Sequence, residues 1–236
     1  MEPKLLVCVP FRAGSGQEHR EGHLREFVRR MPPFLDTTGT DYLIVVARQS
    51  EDGKKFNRGA CLNAAFDWAR KKQPDYAARA VCFHDVDLLP VRGLAEAYSR
   101  SNVHLARCWR RYDSDTYLGG ALTLDVKVFV RVNGFPNLFW GWGGEDDELA
   151  ARLDVEVERF TEGEYEDLEA MGLTEKLAFL RNNPNLKCME KWEVRDDYHA
   201  ARATGKPVEG LEEVQYTATD ETTLHPRIVE LKITLK

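Results

Sequence analysis

The chain has 236 residues, enough for one large domain or two small ones, and its 43% hydrophobic and 31% charged content excludes disorder as the main state. Lys and Arg number 33 against 39 Asp and Glu, and this net charge of −6 argues against sequence-independent nucleic-acid binding, which rests on neutralising phosphates. No apolar run approaches the roughly 18 residues of a membrane span. Met1-Glu2-Pro3-Lys4 leads at once into a strand-like run, leaving no room for a signal peptide. The expectation is a soluble chain, cytoplasmic if Met1 is the natural start, or otherwise one trimmed of its targeting segment. Cys8, Cys61, Cys82, Cys108 and Cys188 are scattered with no C-x-x-C pair, so neither a disulfide framework nor a cysteine zinc site is expected.

Leu5 to Val9 is a continuous apolar run ended by Pro10 and reads as a buried parallel strand. Leu24, Phe27, Val28 and Met31 follow at helical spacing, with Pro32-Pro33 expected to stop that helix. Tyr42 to Ala47 reads as a second buried strand. Leu62, Ala65, Phe66 and Ala69 mark a second amphipathic helix with Asn57 as its N-cap. Ala80 to Phe83 is a third strand, and Val103 to Cys108 and Ala121 to Leu124 read as further ones. Leu149 and Leu153 share one face of a helix whose first turn is acidic, and Leu173, Leu177 and Leu180 suggest another helix. The Glu-rich stretch from Asp154 to Glu169 reads as a solvated helix face or loop. Val214, Tyr216 and Ala218, then Val229, Leu231, Ile233 and Leu235, alternate with polar residues, which predicts an antiparallel pair. The pattern as a whole is α/β: one domain over 1–236, a mainly parallel open sheet flanked by helices, and a C-terminal antiparallel strand pair.

Four runs carry chemistry. Asp85-Val86-Asp87 sits where a buried strand ends; two carboxylates there suit a hard divalent cation, although aspartates also cap turns. Trp140-Gly141-Trp142-Gly143-Gly144 leads into Glu145-Asp146-Asp147-Glu148. Acids in a first helical turn can be there for the helix dipole alone. Equally, tryptophan faces among mobile glycines suit a sugar or base, with a carboxylate placed as general base. Arg12, after Val9-Pro10-Phe11, and Arg58, in Phe56-Asn57-Arg58-Gly59, can grip phosphate or remain surface charges. In Tyr117-Leu118-Gly119-Gly120, paired glycines permit close approach of a ligand or bend a strand.

Taken in order, Pro-Phe-Arg, Phe-Asn-Arg-Gly, Phe-His-Asp-Val-Asp-Leu-Leu-Pro, Tyr-Leu-Gly-Gly, Asn-Gly-Phe-Pro and Trp-Gly-Trp-Gly-Gly-Glu-Asp-Asp-Glu form a series that resembles the β-1,4-galactosyltransferase family, glycosyltransferases of the GT-A fold. The resemblance runs from about Leu5 to Leu153 and again through Gly210 to Lys236, and it is poor between Asp154 and Glu209. It implies a nucleotide-sugar and catalytic part over 1–153, and over 154–236 a part that completes the acceptor and metal sites. It further implies an inverting transfer of a hexose, galactose first, from a UDP-sugar to a saccharide or glycoconjugate hydroxyl, with Mn²⁺ on the diphosphate. Family members carry an N-terminal membrane anchor and stem, so a chain like this one is also consistent with the catalytic domain of a secretory-pathway enzyme.

Carried onto this sequence, the resemblance implies that Pro10, Phe11, Arg12 and Arg58 surround the nucleotide. Asp85 and Asp87 form the Asp-x-Asp pair, with Asp87 the direct metal ligand. Asp146 becomes the base and Glu145 orients the acceptor. Trp142 belongs to a loop closing over the donor, and Tyr117 favours galactose over its N-acetylated form. One departure stands out. Where the family completes its metal site with histidine, this chain reads Lys187-Cys188-Met189-Glu190-Lys191-Trp192, which puts Trp192 in the histidine's place. His199 is the candidate for a displaced ligand; an exposed histidine beside Asp196 and Asp197 is the other reading. Alternatives to galactose transfer are an N-acetylgalactosaminyl- or glucosyl-type transferase, or a UDP-sugar or glycan-binding module that has lost catalysis.

Overall fold

The apolar run at the N-terminus forms strand β1 (Lys4–Phe11), every residue of which after Lys4 is buried. In a computed structural model describing residues 4–14, 17–72, 78–109 and 118–236, the chain continues through α1 (Arg20–Asp36), β2 (Asp41–Gln49), α2 (Arg58–Lys72), β3 (Ala80–His84) and β4 (Leu88–Arg92). Then come α3 (Ala95–Tyr98), β5 (Val103–His104), β6 (Ala121–Asp125), α4 (Val126–Arg131) and α5 (Glu145–Arg152). The last third holds β7 (Glu158–Arg159), β8 (Glu164–Asp167), α6 (Leu173–Asn182), α7 (Lys191–Ala203), β9 (Tyr216–His225) and β10 (Ile228–Leu235).

Eight strands form one sheet in the order β7-β5-β6-β3-β1-β2-β10-β9, while β4 and β8 pair separately. Its middle is parallel, with β3, β1, β2 and β10 running together, and β6 and β9 are antiparallel to their inner neighbours. The expected C-terminal pair is present and adds to the main sheet through β10. Alternate residues of β1 feed two cores. Leu5, Val7 and Val9 meet Leu24, Phe27 and Met31 of α1, and Leu6 and Cys8 meet the alanine-rich α2. All five cysteines are free thiols.

Three elements differ from expectation. Pro32 and Pro33 do not stop α1, which runs on to Asp36. The prolines remove two intrahelical donors, but Met31, Pro32 and Leu35 are buried, and the Tyr42 hydroxyl donates to the Pro32 carbonyl at 3.2 Å, so packing overrides local preference. The strand expected from Val103 to Cys108 ends at His104 and becomes a 3-10 turn over Leu105–Cys108. The acidic stretch after Asp154 contains β7 and β8 instead of a helix face, because Glu158–Arg159 extends the sheet edge and Glu164–Asp167 pairs with β4.

The segment joining α4 to α5 is fixed from α2. Asn63 donates to the Phe135 carbonyl at 2.8 Å and accepts from the Phe135 amide at 3.0 Å, gripping the Asn-Gly-Phe-Pro run. At Gly59 a Cβ would lie 2.5 Å from the Pro136 carbonyl oxygen, so only glycine lets the start of α2 come this close. α5 is anchored from its far end by Arg152, whose side chain is 2% exposed. That guanidinium donates to Glu148 at 3.0 Å and to the carbonyls of Asn133, Gly134 and Glu209. Arg202 also binds Glu148.

Truncating Arg152 would leave an underpaired buried carboxylate and several unsatisfied carbonyls, so Arg152→Ala is expected to lower unfolding free energy by about 3–5 kcal/mol. Urea denaturation monitored by tryptophan fluorescence measures it; a loss below about 1 kcal/mol, the range of an exposed pair, would contradict this reading.

Candidate active site

The carboxyl ends of β1 and β3 open on the same edge of the sheet, where open α/β sheets place their ligands. Pro10 is near the end of β1 and Arg12 follows it; beyond β3 the chain turns through Asp85, Val86 and Asp87. The Asp85 amide donates to the Gly120 carbonyl at 2.7 Å, bringing the Gly-Gly pair beside this turn. α2 begins here too, capped by Asn57, whose side-chain oxygen accepts from the Ala60 amide at 2.9 Å as the sequence predicted. Its first residue is Arg58. α5 begins opposite, after Gly144 in the left-handed region at φ 110°, where an added Cβ would collide with the Phe139 ring.

These ends enclose a cavity of about 580 Å³, within the range of small-molecule sites. Pro10, Arg12, Arg58, Asp85, Asp87, Trp142, Glu145 and Asp146 all line it. The two acidic runs, some sixty residues apart in the chain, therefore face one space. Arg58 joins them physically: Nε donates to Asp85 Oδ1 at 2.8 Å, and an Nη atom reaches Glu145 Oε1 at 3.5 Å. Arg12 donates to the Lys54 carbonyl at 2.6 Å and ties the loop between β2 and α2 to the end of β1.

Other expected residues lie elsewhere. Phe11 is fully buried in the core beneath Arg48, whose guanidinium lies 4.4 Å from its ring centroid, because alternation along β1 turns residue 11 inward. His199 is exposed on α7 and does not line the cavity. α7 turns Tyr198 inward instead, against Phe139, so the neighbouring histidine points to solvent. Met189 and Trp192 are also on the surface, 55% and 64% exposed. Tyr117 lies outside the described residues.

Asp87 is only 8% exposed, and among the described residues no side chain is hydrogen-bonded to its carboxylate. Asp85, by contrast, is neutralised by Arg58. No group of three His, Cys, Asp or Glu side chains among the described residues is arranged to hold a metal. Asp87 nevertheless fits as one oxygen ligand to a hard cation, whose other positions diphosphate oxygens and water can fill. Burial, then the neighbouring Asp146, raises the Glu145 pKa to about 7 against the opposing pull of Arg58. Asp146 is raised as well, by burial and then Asp147, while Arg58 and Lys191 act in the other direction. Lys191 pairs with Asp147 at 2.8 Å. His84 is structural: buried between the Tyr98 hydroxyl at 2.5 Å and the Asp85 carbonyl at 2.9 Å, it is pushed down to about 4.

The remaining wall comes from segments the sequence did not single out. Lys55 donates to the Lys187 carbonyl at 2.8 Å, and the Trp142 amide donates to the Leu186 carbonyl at 2.7 Å, so the 184–188 strap packs along the Trp142 loop. From α6, Lys176, Phe179 and Leu180 enter the cavity. Nothing in a lone lysine among 33 cationic residues marks it as buried.

Comparison with known proteins gives a consistent pattern. A family model described as the N-terminal region of glycosyl transferase group 7 matches residues 2–98, and one described as the N-terminal domain of galactosyltransferase matches residues 99–170. β-1,4-Galactosyltransferase 1 of Mus musculus is 35% identical over 156 residues, covering 64% of this chain and 36% of the relative. β-1,4-Galactosyltransferase 4 of Homo sapiens is 35% identical over 170 residues, covering 66% of this chain and 43% of the relative. The chain thus spans less than half the length of the curated relatives it matches. Among solved structures, the catalytic domain of Drosophila β-1,4-galactosyltransferase 7 in complex with xylobiose superposes with a TM-score of 0.76 at 27% identity, covering 99% of this chain and 94% of that one. A mutant of the same Drosophila enzyme in complex with manganese, UDP-Gal and xylobiose gives 0.75 at 26% identity with the same coverage.

The raised Glu145 carboxyl has a stability consequence. From its ordinary value of 4.5 in the unfolded chain it rises to about 7 on folding, so the folded state binds more protons between those values. Its contribution is full below 4.5 and is lost as pH climbs through about 7. Glu145→Gln is therefore expected to flatten the decline of Tm between about pH 5 and 8 and to melt above wild type at the alkaline end. Thermal melts across that range check it; an unchanged slope would show that Glu145 ionises freely.

Proposed function

The chain belongs to the β-1,4-galactosyltransferase family, and on that premise we propose that it transfers galactose from UDP-galactose to a saccharide hydroxyl with inversion at the anomeric carbon. The observation that carries this reading is the Arg58 bridge, which puts the Asp85–Asp87 turn and the Glu145–Asp146 helix start on one cavity. Pro10, Arg12 and Arg58 sit at strand and helix ends suited to the uridine and its phosphates. Asp87 would hold Mn²⁺, which when bound supplies Lewis-acid neutralisation of charge on the departing UDP. Asp85, occupied by Arg58, orients that arginine.

On the other side of the cavity Asp146 takes the proton from the acceptor hydroxyl as its oxygen bonds to the anomeric carbon. The bond from that carbon to the diphosphate oxygen breaks, and its electron pair leaves with UDP. A carboxylate whose pKa is raised by burial is a stronger base than one in water, provided it is ionised at the working pH. Glu145, one residue earlier and held by Arg58, is placed to orient the acceptor, and Trp142 contributes an aromatic surface over the sugar.

Asp146→Asn is isosteric and removes only the base. It is expected to lower transfer from UDP-galactose by about 10²–10⁴-fold in the presence of Mn²⁺, with UDP affinity by calorimetry within about threefold of wild type. Loss of nucleotide binding together with activity would assign Asp146 a structural role instead.

A further inference from the structure

α6 lies beyond residue 170, where the matching family models end, and it is oriented against its own apolar pattern. Leu173 and Leu177, expected to face the core, are 42% and 40% exposed, whereas Lys176 is 9% exposed and Leu180 3%. Lysine is rarely buried, because its ammonium is strongly hydrated and its long stem loses rotamer freedom. It also stands in the first turn of the helix, the end at which a cation is disfavoured by the dipole. Nothing in helix formation or core packing accounts for that choice.

The surroundings of Lys176 do. Its ammonium pairs with Glu169 at 2.5 Å, and both side chains line the same cavity as Asp87. The Leu168 amide donates to the Asp87 carbonyl at 2.8 Å, so Glu169 follows directly on a residue tied to the Asp85–Asp87 turn. Asp87 is the one cavity carboxylate expected to hold the metal, and no histidine joins it from α7. A shell with a single protein carboxylate holds the cation weakly, so that binding of the diphosphate depends more on other cations that line the site.

We propose that Lys176 is a diphosphate-binding residue: a fixed ammonium carried by α6, held by Glu169 and facing the nucleoside diphosphate beside Asp87, which gives the site a positive charge that does not depend on a weakly held metal. The assignment rests on the donor-site reading above. Two consequences follow from the electrostatics. UDP binding is retained in part without divalent cation, because the ammonium remains when the metal is removed. Glu169 competes with the diphosphate for the same ammonium, so removing its charge strengthens that residual binding.

The test is calorimetric titration of UDP into wild type, Lys176→Met, Lys176→Arg and Glu169→Gln, each in EDTA and in excess Mn²⁺, with thermal melts to confirm folding. In EDTA, Lys176→Met is expected to weaken UDP binding on the order of tenfold, Lys176→Arg to stay within about threefold, and Glu169→Gln to equal or exceed wild type. In Mn²⁺ the same order holds with smaller differences. A purely structural ion pair gives a different pattern: both partners' variants lose Tm alike and neither moves UDP affinity in EDTA, which overturns the proposal. Wild type that binds UDP in Mn²⁺ but shows no binding in EDTA also overturns it while leaving the transferase reading intact. Failure of wild type to bind UDP under either condition removes the donor-site reading itself.

Discussion

One guanidinium holds the site together. Arg58, at the first position of α2, binds a carboxylate that follows β3 and another that opens α5. Without it, Asp85, Glu145 and Asp146 would crowd uncompensated negative charge around a partly desolvated cavity, a costly arrangement in a low dielectric. Arginine suits the task better than lysine because its planar fork reaches two partners from one rigid group. Backbone geometry then makes the contact possible: Gly59 lets the start of α2 press against Pro136, and Gly144 turns the chain sharply into α5. Interactions far from the cavity serve the same end. Asn63 grips the turn before α5, and Arg152 anchors that helix from behind.

Several of the cavity's carboxylates are paired with cations. Glu145 and Asp85 share Arg58, Asp147 has Lys191, and Glu169 has Lys176. Asp87 takes no side-chain hydrogen bond among the described residues. A carboxylate left open in this way is ready to accept a cation at low reorganisation cost, and the paired lysines can pivot from carboxylate to phosphate without crossing bare apolar space. Burial supplies the complementary effect at the far wall, where the Glu145–Asp146 carboxyls are driven toward basicity. On the proposed reading, the leaving group and the attacking hydroxyl would meet environments of opposite character within one space.

Much of this was legible in the amino-acid order because the key groups sit at ends of regular elements. An apolar run closing on Pro10, one closing on Asp85, and a glycine-rich run opening an acidic helix each announce an edge of the sheet or a helix terminus, where ligand-facing side chains gather. What escaped was set by tertiary packing. Pro32 and Pro33 lie inside α1 because the core holds its last turn in place, and Phe11 turns inward by strand alternation although its neighbours face the cavity. The α6 stripe of leucines predicted the helix but the wrong face, since the cavity claims Lys176 and Leu180. Local patterns carry periodicity; which face is buried depends on partners contributed from elsewhere in the chain. The same limit applies to His199, a chemically suitable side chain on the solvent-exposed face of α7.

A crystal structure of the protein with UDP-galactose and Mn²⁺ tests most directly whether the two acidic runs act on opposite ends of one bound donor. The diphosphate should lie between Asp87 and the cavity's cations. The anomeric carbon and the Asp146 carboxylate should be separated by the width of one hydroxyl oxygen, in contact with each at about 3–3.5 Å. Nucleotide density anywhere other than beside Asp87, or a sugar whose anomeric carbon faces away from Asp146, would contradict it.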